Sequence, residues 1–293
     1  MIKLFNKNNI LKFLSISFIL VISLFVMYFS NNIHMYSDGY ILHRELKLAL
    51  VVFKVMLLVV IPVISLVSFI AYYYRESNIF AAYKPDWTHS YFLETICWLV
   101  PIIIIIFLAD LSWKNTHKLE PSKCLCINSQ EPIIIDVVSL NWRWLFIYPQ
   151  YKIATINEIY FPKNTSIYFR ITSHSVMNSF FIPGLGTQIY TMAGMKTELN
   201  LFATRDGLYK GISSNYSGRG FSNMKFNVYV KNNLTEFHEW VNKVKSKNNF
   251  LIFKQQFLKL SCNNEKYHVQ YFSYVDPLLF YKIISIFNKS HCM

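Results

Sequence analysis

Charge is scarce in this chain. Only 15% of its 293 residues are Asp, Glu, Lys or Arg, while 53% are apolar or aromatic, and the apolar ones bunch into runs near the N-terminus. That distribution argues against a soluble enzyme and for a membrane protein. The acidic residues number 16 against 29 basic ones, a formal charge of +13. A nucleic-acid role would need the basic residues in blocks interleaved with aromatics on one face, and they are scattered instead. Cysteine is also sparse: Cys97, Cys124, Cys126, Cys262 and Cys292 make an odd count without paired metal-ligand spacing. Cys124 and Cys126 stand one residue apart, too close for a zinc knuckle and strained for a mutual disulfide.

Three apolar runs set the topology. "LKFLSISFILVISLFVMYFS" follows Lys3, Lys7 and Lys12 and has the basic flank and apolar heart of a signal sequence. It lacks a clear small-residue cleavage site, and no cysteine stands after it to accept a lipid, so an uncleaved anchor is the preferred reading. "LALVVFKVMLLVVIPVISLVSFIAYYY" is long enough to span, with Pro62 as a kink and Tyr72 to Tyr74 as an interfacial belt before Arg75. The third run, Phe92 to Trp113, carries Trp98 and Trp113 toward its ends and Asp110 in its last turns. With the N-terminal lysines, Arg75 and Lys84 on the cytoplasmic side, everything after Trp113 lies outside, which in a bacterium is the periplasm.

After Pro121 the apolar period changes to two. Ile167, Phe169 and Ile171 share one face of "TSIYFRIT", and Met224, Phe226, Val228 and Val230 share one face of "NMKFNVYV". "IIIDVVSL", "WRWLFIY" and "KTELNLFA" behave alike, so an antiparallel sandwich or barrel is expected. Beyond Asn232 helical spacing returns at Phe237, Trp240, Val241 and Val244. "DPLLFYKIISIF" then offers Asp276 as N-cap, Pro277 at the first helical position, and Leu279, Ile283 and Ile286 on a common face. These helices are expected to pack on the outer domain or on a partner subunit.

The stretch "GISSNYSGRGFSNM" has the outline of a metal-binding loop without its ligand atoms. Together with "SVMNSFFIPGLGTQIYTMAGMKTELNLFA" and "VPIIIIIFLADLSWKNTHKLEPSK", it makes the chain resemble subunit II of haem-copper terminal oxidases, in the cytochrome bo ubiquinol oxidase branch. The resemblance runs from about Glu45 to Phe287 and implies a cupredoxin-like antiparallel β-sandwich behind a transmembrane helical hairpin. Copper-bearing relatives hold a two-copper centre with two Cys, two His, a Met and a Glu carbonyl. On this chain those positions are Ser213 and Ser217, Asn178 and Phe221, Met224, and Asn215. Soft thiolates and imidazoles suit copper, and a lone thioether has almost no claim on it. His174, four residues upstream of Asn178, is read as a surface residue.

The resemblance also carries the functional expectation. The chain would be a non-catalytic subunit of a proton-pumping quinol oxidase, with haems and copper in the large partner subunit and no cofactor of its own. Its other partners would be small membrane subunits, lipid and, through the complex, ubiquinol; nucleic acid is excluded. Trp142, Trp144, Phe146 and Tyr148 are taken as core and contact residues rather than an electron-entry path. By residue chemistry alone Glu94 is either a carboxylate favoured at a helix N-terminus or a proton acceptor at the mouth of a membrane path. The resemblance favours the second. The domains expected are a signal or anchor segment with outer loop over 1–45, a hairpin over 46–120, the outer domain over 121–232 and an aromatic-rich helical segment over 233–293. Two rivals are a cytochrome c oxidase subunit II, which the missing thiolates oppose, and a free-standing membrane-tethered binding module.

Overall fold

The computed structural model describes residues 38–76, 78–79, 89–123, 131–251, 257–261 and 268–290. The first apolar run, Lys84 and the cysteines other than Cys97 lie outside the described residues. Cys97 is a free, exposed thiol. The described chain divides into two compact units, one of residues 45–118 and one of residues 38–44 with 119–290.

The first unit holds most of two long helices, α1 (Tyr40–Tyr73) and α2 (Tyr91–Lys118). Both are long and apolar enough to cross a membrane. Each contains an internal proline, Pro62 and Pro101, which removes one backbone donor. Their apolar side chains are exposed almost throughout, as lipid or partner helices require. Asp110, at the far end of α2, pairs with Lys114 one turn on at 2.8 Å, so the carboxylate in the last turns has a partner within its own helix.

The second unit is a two-sheet sandwich. One sheet runs β12 (Gln270–Phe272), β3 (Ile153–Ile156), β2 (Arg143–Tyr148), β1 (Ile133–Leu140), β5 (Ser166–Ser173) and β8 (Thr197–Phe202). The other runs β4 (Glu158–Pro162), β10 (Lys225–Lys231), β9 (Gly207–Ser213), β6 (Asn178–Phe181) and β7 (Ile189–Thr191). Most neighbours are antiparallel, as expected, but β1 pairs with β5 and β4 with β10 in parallel. The parallel pairs arise because the chain leaves one sheet after β3, adds β4 to the other, and returns to lay β5 beside β1.

Between the sheets lies a core of Ile135, Val137, Trp144, Phe146, Phe169, Phe180, Met224 and Phe226, all at 1% exposure or less. Phe180 stacks on Phe226 at 5.2 Å, and Trp144 meets both edge-on. Helix α3 (Leu234–Lys245) closes one side of this core with Phe237, Trp240, Val241 and Val244, the four residues its spacing singles out.

The six-stranded sheet is buried on its outer face too, which is why every residue of β2 is buried. There Val138, Leu140, Leu145 and Ile147 meet Leu251, Phe257, Phe272 and Val275, with Leu279, Phe280 and Ile283 of α5 (Leu279–Ser290). Phe257 belongs to the short helix α4 (Phe257–Ser261), and Leu251 and Val275 to the paired strands β11 (Phe250–Leu251) and β13 (Tyr274–Val275). The C-terminal segment thus packs within its own chain. Asp276 caps α5, its carboxylate accepting from the Leu278 N–H at 2.9 Å. Ile286, expected on the buried face, is 38% exposed; Phe287 turns inward instead, because the packed stripe follows 279, 280, 283 and 287.

Candidate functional site

The six positions singled out in the sequence come from two places and meet at one end of the sandwich. Asn178 opens β6, Ser213 closes β9, and the chain then loops through Asn215, Ser217 and a 3-10 turn at Phe221–Asn223 before Met224 leads into β10. Backbone bonds fold the loop on itself: Phe221 N–H donates to Gly218 O, Met224 N–H to Phe221 O, and Ser213 N–H to Met224 O at 3.1 Å. Ser214 N–H donates across to Ser179 O at 3.2 Å, tying the loop to β6.

The side chains complete a neutral network. Ser213 Oγ donates to Asn178 Oδ1 at 3.2 Å, and Asn178 Nδ2 donates to Ser139 Oγ and Val176 O, both at 3.1 Å. Ser139, on β1, is the hub: it donates to Ser173 Oγ at 2.9 Å and accepts from Thr191 Oγ1 at 3.2 Å. All five of these polar residues are buried, so each bond replaces water that burial removed. Asn215 Nδ2 donates to Met177 O at 3.1 Å. Ser217 Oγ stands 4.0 Å from Met224 Sδ, and Met224 is 1% exposed. Phe221 turns to Tyr216, ring centroids 5.7 Å apart.

Trp142 supports the loop from below. It occupies a two-residue turn between β1 and β2, where Leu140 and Arg143 are partners, and takes φ 62°. An aromatic residue rarely adopts that conformation, so surrounding contacts must hold it. Its indole Nε1 donates to Ser217 O at 3.2 Å, and the ring lies against Gly220, where an added Cβ would come within 2.3 Å of it. Trp144, Phe146 and Tyr148 are fully buried core residues, while Trp142 is a contact residue of the loop.

His174 departs from expectation. It is half-buried rather than on the surface, its ring edge-on to Phe257 of α4 at 5.0 Å and 5.8 Å from Phe287 of α5. Burial lowers its pKa below the ordinary histidine value. The C-terminal helices covering it come more than eighty residues later in sequence, so no local spacing signals the contact. The hub serines were also missed; the only signal was a Ser inside each of two apolar strand runs, "IIIDVVSL" and "SIYFRITS".

Glu94 lies in the first turn of α2, its N–H donating to Ser90 O at 3.0 Å and its side chain exposed.

A membrane hairpin of helices and an outer sandwich with a loop of this outline define a cupredoxin-like subunit II of the haem-copper oxidases. Residues 148–231 match the family model for the cytochrome c oxidase subunit II periplasmic domain, and residues 253–291 match the aromatic-rich motif model. The chain is 49% identical over 280 residues to cytochrome bo(3) ubiquinol oxidase subunit 2 of Buchnera aphidicola subsp. Schizaphis graminum, covering 96% of this chain and 95% of that one. It is 50% identical over 230 residues to the same subunit of Pseudomonas aeruginosa, covering 78% of this chain and 69% of that one. Among solved structures it is similar to the crystal structure of the periplasmic domain of cytochrome oxidase subunit II of Bradyrhizobium japonicum, with 22% identity, a TM-score of 0.38, and coverage of 40% and 96%. The chain belongs to the cytochrome bo(3) ubiquinol oxidase subunit 2 family.

Proposed function

We propose that this chain is a non-catalytic subunit of a proton-pumping ubiquinol oxidase, carrying no redox centre of its own. Haems, copper and quinol would be bound by a large catalytic partner in the inner membrane, which this chain stabilises with its hairpin and caps with its periplasmic domain. Small membrane subunits and lipid complete its surroundings.

The observation that carries this reading is the donor set at the loop. Two hydroxyls, two amides, a phenyl ring and one thioether offer copper a single soft atom. Asn178 and Ser213, moreover, spend their polar atoms on each other and on Ser139 and Val176. The residues do not fit a copper centre. A membrane electron donor such as quinol would make a periplasmic relay unnecessary.

In this reading Glu94 is the carboxylate at the cytoplasmic mouth of the proton path. Its exposed place in the first turn of α2 supports that role and equally suits a carboxylate beside a helix dipole. Glu94→Ala in the assembled complex separates the two. The proton role predicts slowed quinol turnover with normal assembly, and unchanged rates at every pH would reduce Glu94 to a dipole partner. Co-purification of a haem-bearing multi-helix subunit in mild detergent tests the wider assignment against a free-standing binding module.

A further inference from the structure

The residues that lead into the first long helix, together with its first turn, belong to the outer domain. Asp38 O accepts from both the Thr204 N–H at 2.9 Å and Thr204 Oγ1 at 2.6 Å, while its carboxylate stands 3.2 Å from the Arg205 guanidinium. Gly39 forms an antiparallel bridge with Ala203. Ile41, in the first turn of α1, is 3% exposed and belongs to the core between the sheets. The Asp38 and Gly39 contacts fall just past the end of β8, the edge strand of the six-stranded sheet. The chain just past α2 reaches the same strand: Asn200 N–H and Nδ2 both donate to Pro121 O, at 3.0 and 3.1 Å.

An unpaired edge strand is an aggregation hazard that folded proteins cover, and here residues 38–44 cap its end while Pro121 bonds to Asn200 within it. Its seat admits nothing larger than glycine at one point, since a Cβ on Gly39 would fall 1.9 Å from Leu185 O. We propose that residues 38–44 are a strap the outer domain requires to close its sheet edge and core, with Gly39 as the residue that lets it seat. The strap, whose last five residues open α1, precedes the unit of residues 45–118 in the sequence, and the rest of the domain follows that unit. It reaches its seat only when both ends of the hairpin emerge on one side of the membrane, so completion of the outer fold depends on correct insertion of the hairpin.

A cross-link tests this in the full chain in its membrane, with the native cysteines changed to serine. A Cβ added at Gly186 stands 3.2 Å from the Cβ of Ile41, close to the ~3.5–4.5 Å that a disulfide spans. The pair Ile41→Cys and Gly186→Cys should therefore join on mild oxidation, and failure to join would overturn the strap. Adding Gly39→Val should lower the joined fraction by about tenfold or more, corresponding to a loss of about 1.4 kcal/mol or more in seating. An undiminished cross-link in that triple variant would overturn the role of Gly39.

Discussion

The two faces of one strand pair bury polar groups in opposite ways. β1 and β5 run parallel in register, with Asp136 opposite Arg170 and Ser139 opposite Ser173. Because side chains alternate along a strand, the first pair faces the C-terminal helices and the second faces the loop end of the sandwich. Under the helices the pair is ionic: Arg170 Nε and Nη2 reach the two carboxylate oxygens of Asp136 at 2.5 and 2.8 Å, and Nη1 donates to Tyr281 OH at 2.9 Å. Under the loop the network is neutral, a run of hydroxyls and one amide that completes its own bonds. A charge pair holds a cover in place but stakes stability on both partners; a neutral network fixes a loop at lower risk.

The largest effect that would sharpen this contrast comes from Arg170→Met, which strands the Asp136 carboxylate at 1% exposure. It should cost about 3–5 kcal/mol in denaturant unfolding of the outer domain, and the double change with Asp136→Leu should recover most of the loss. A double variant as unstable as the single one would show that the pair is not the source of the penalty.

On the neutral face the effect should be smaller. Asn178→Leu leaves Ser213 and Ser139 each short of a partner and should cost about 1–3 kcal/mol. It should leave the C-terminal cover in place, which limited proteolysis of α5 would report. Equal losses on the two faces would break the comparison.

Smaller again is the effect of His174, which sits between the faces with its N–H donating to Ser139 O and its ring against Phe257 and Phe287. Burial holds its pKa below the ordinary 6.5, so the fold favours the neutral ring. Its contribution is intact above about pH 6.5 and declines as the pH falls through the lower folded value. Because the ring is only half-buried, the loss should stay below about 1 kcal/mol. His174→Phe should flatten the change in melting temperature between pH 7 and pH 5; an unchanged slope would remove His174 as its cause.

Much of this was legible in the sequence because alternation and helical spacing are local. Met224, Phe226, Val228 and Val230 read as one buried face and form one. The loop positions were legible through family resemblance, since spacing from Ser213 to Met224 survives the loss of ligand atoms. What escaped depends on partners distant in the chain. Ser139 carries no local sign of its role because its partners come from β5, β6 and β7, and His174 reads as a surface residue because α4 and α5, which cover it, lie far along the chain. Residues 38–44 read as an outer loop because Gly39 and its partner Ala203 lie on opposite sides of both long helices in the sequence.

The central claim is that the loop has exchanged metal ligation for hydrogen bonding. Copper content of the full-length chain, produced with copper in the medium and purified away from any haem-bearing partner, tests it most directly. The account predicts no stoichiometric copper and a spectrum without thiolate-to-copper bands. Bound copper that is lost when Met224 is changed to Ala would contradict it.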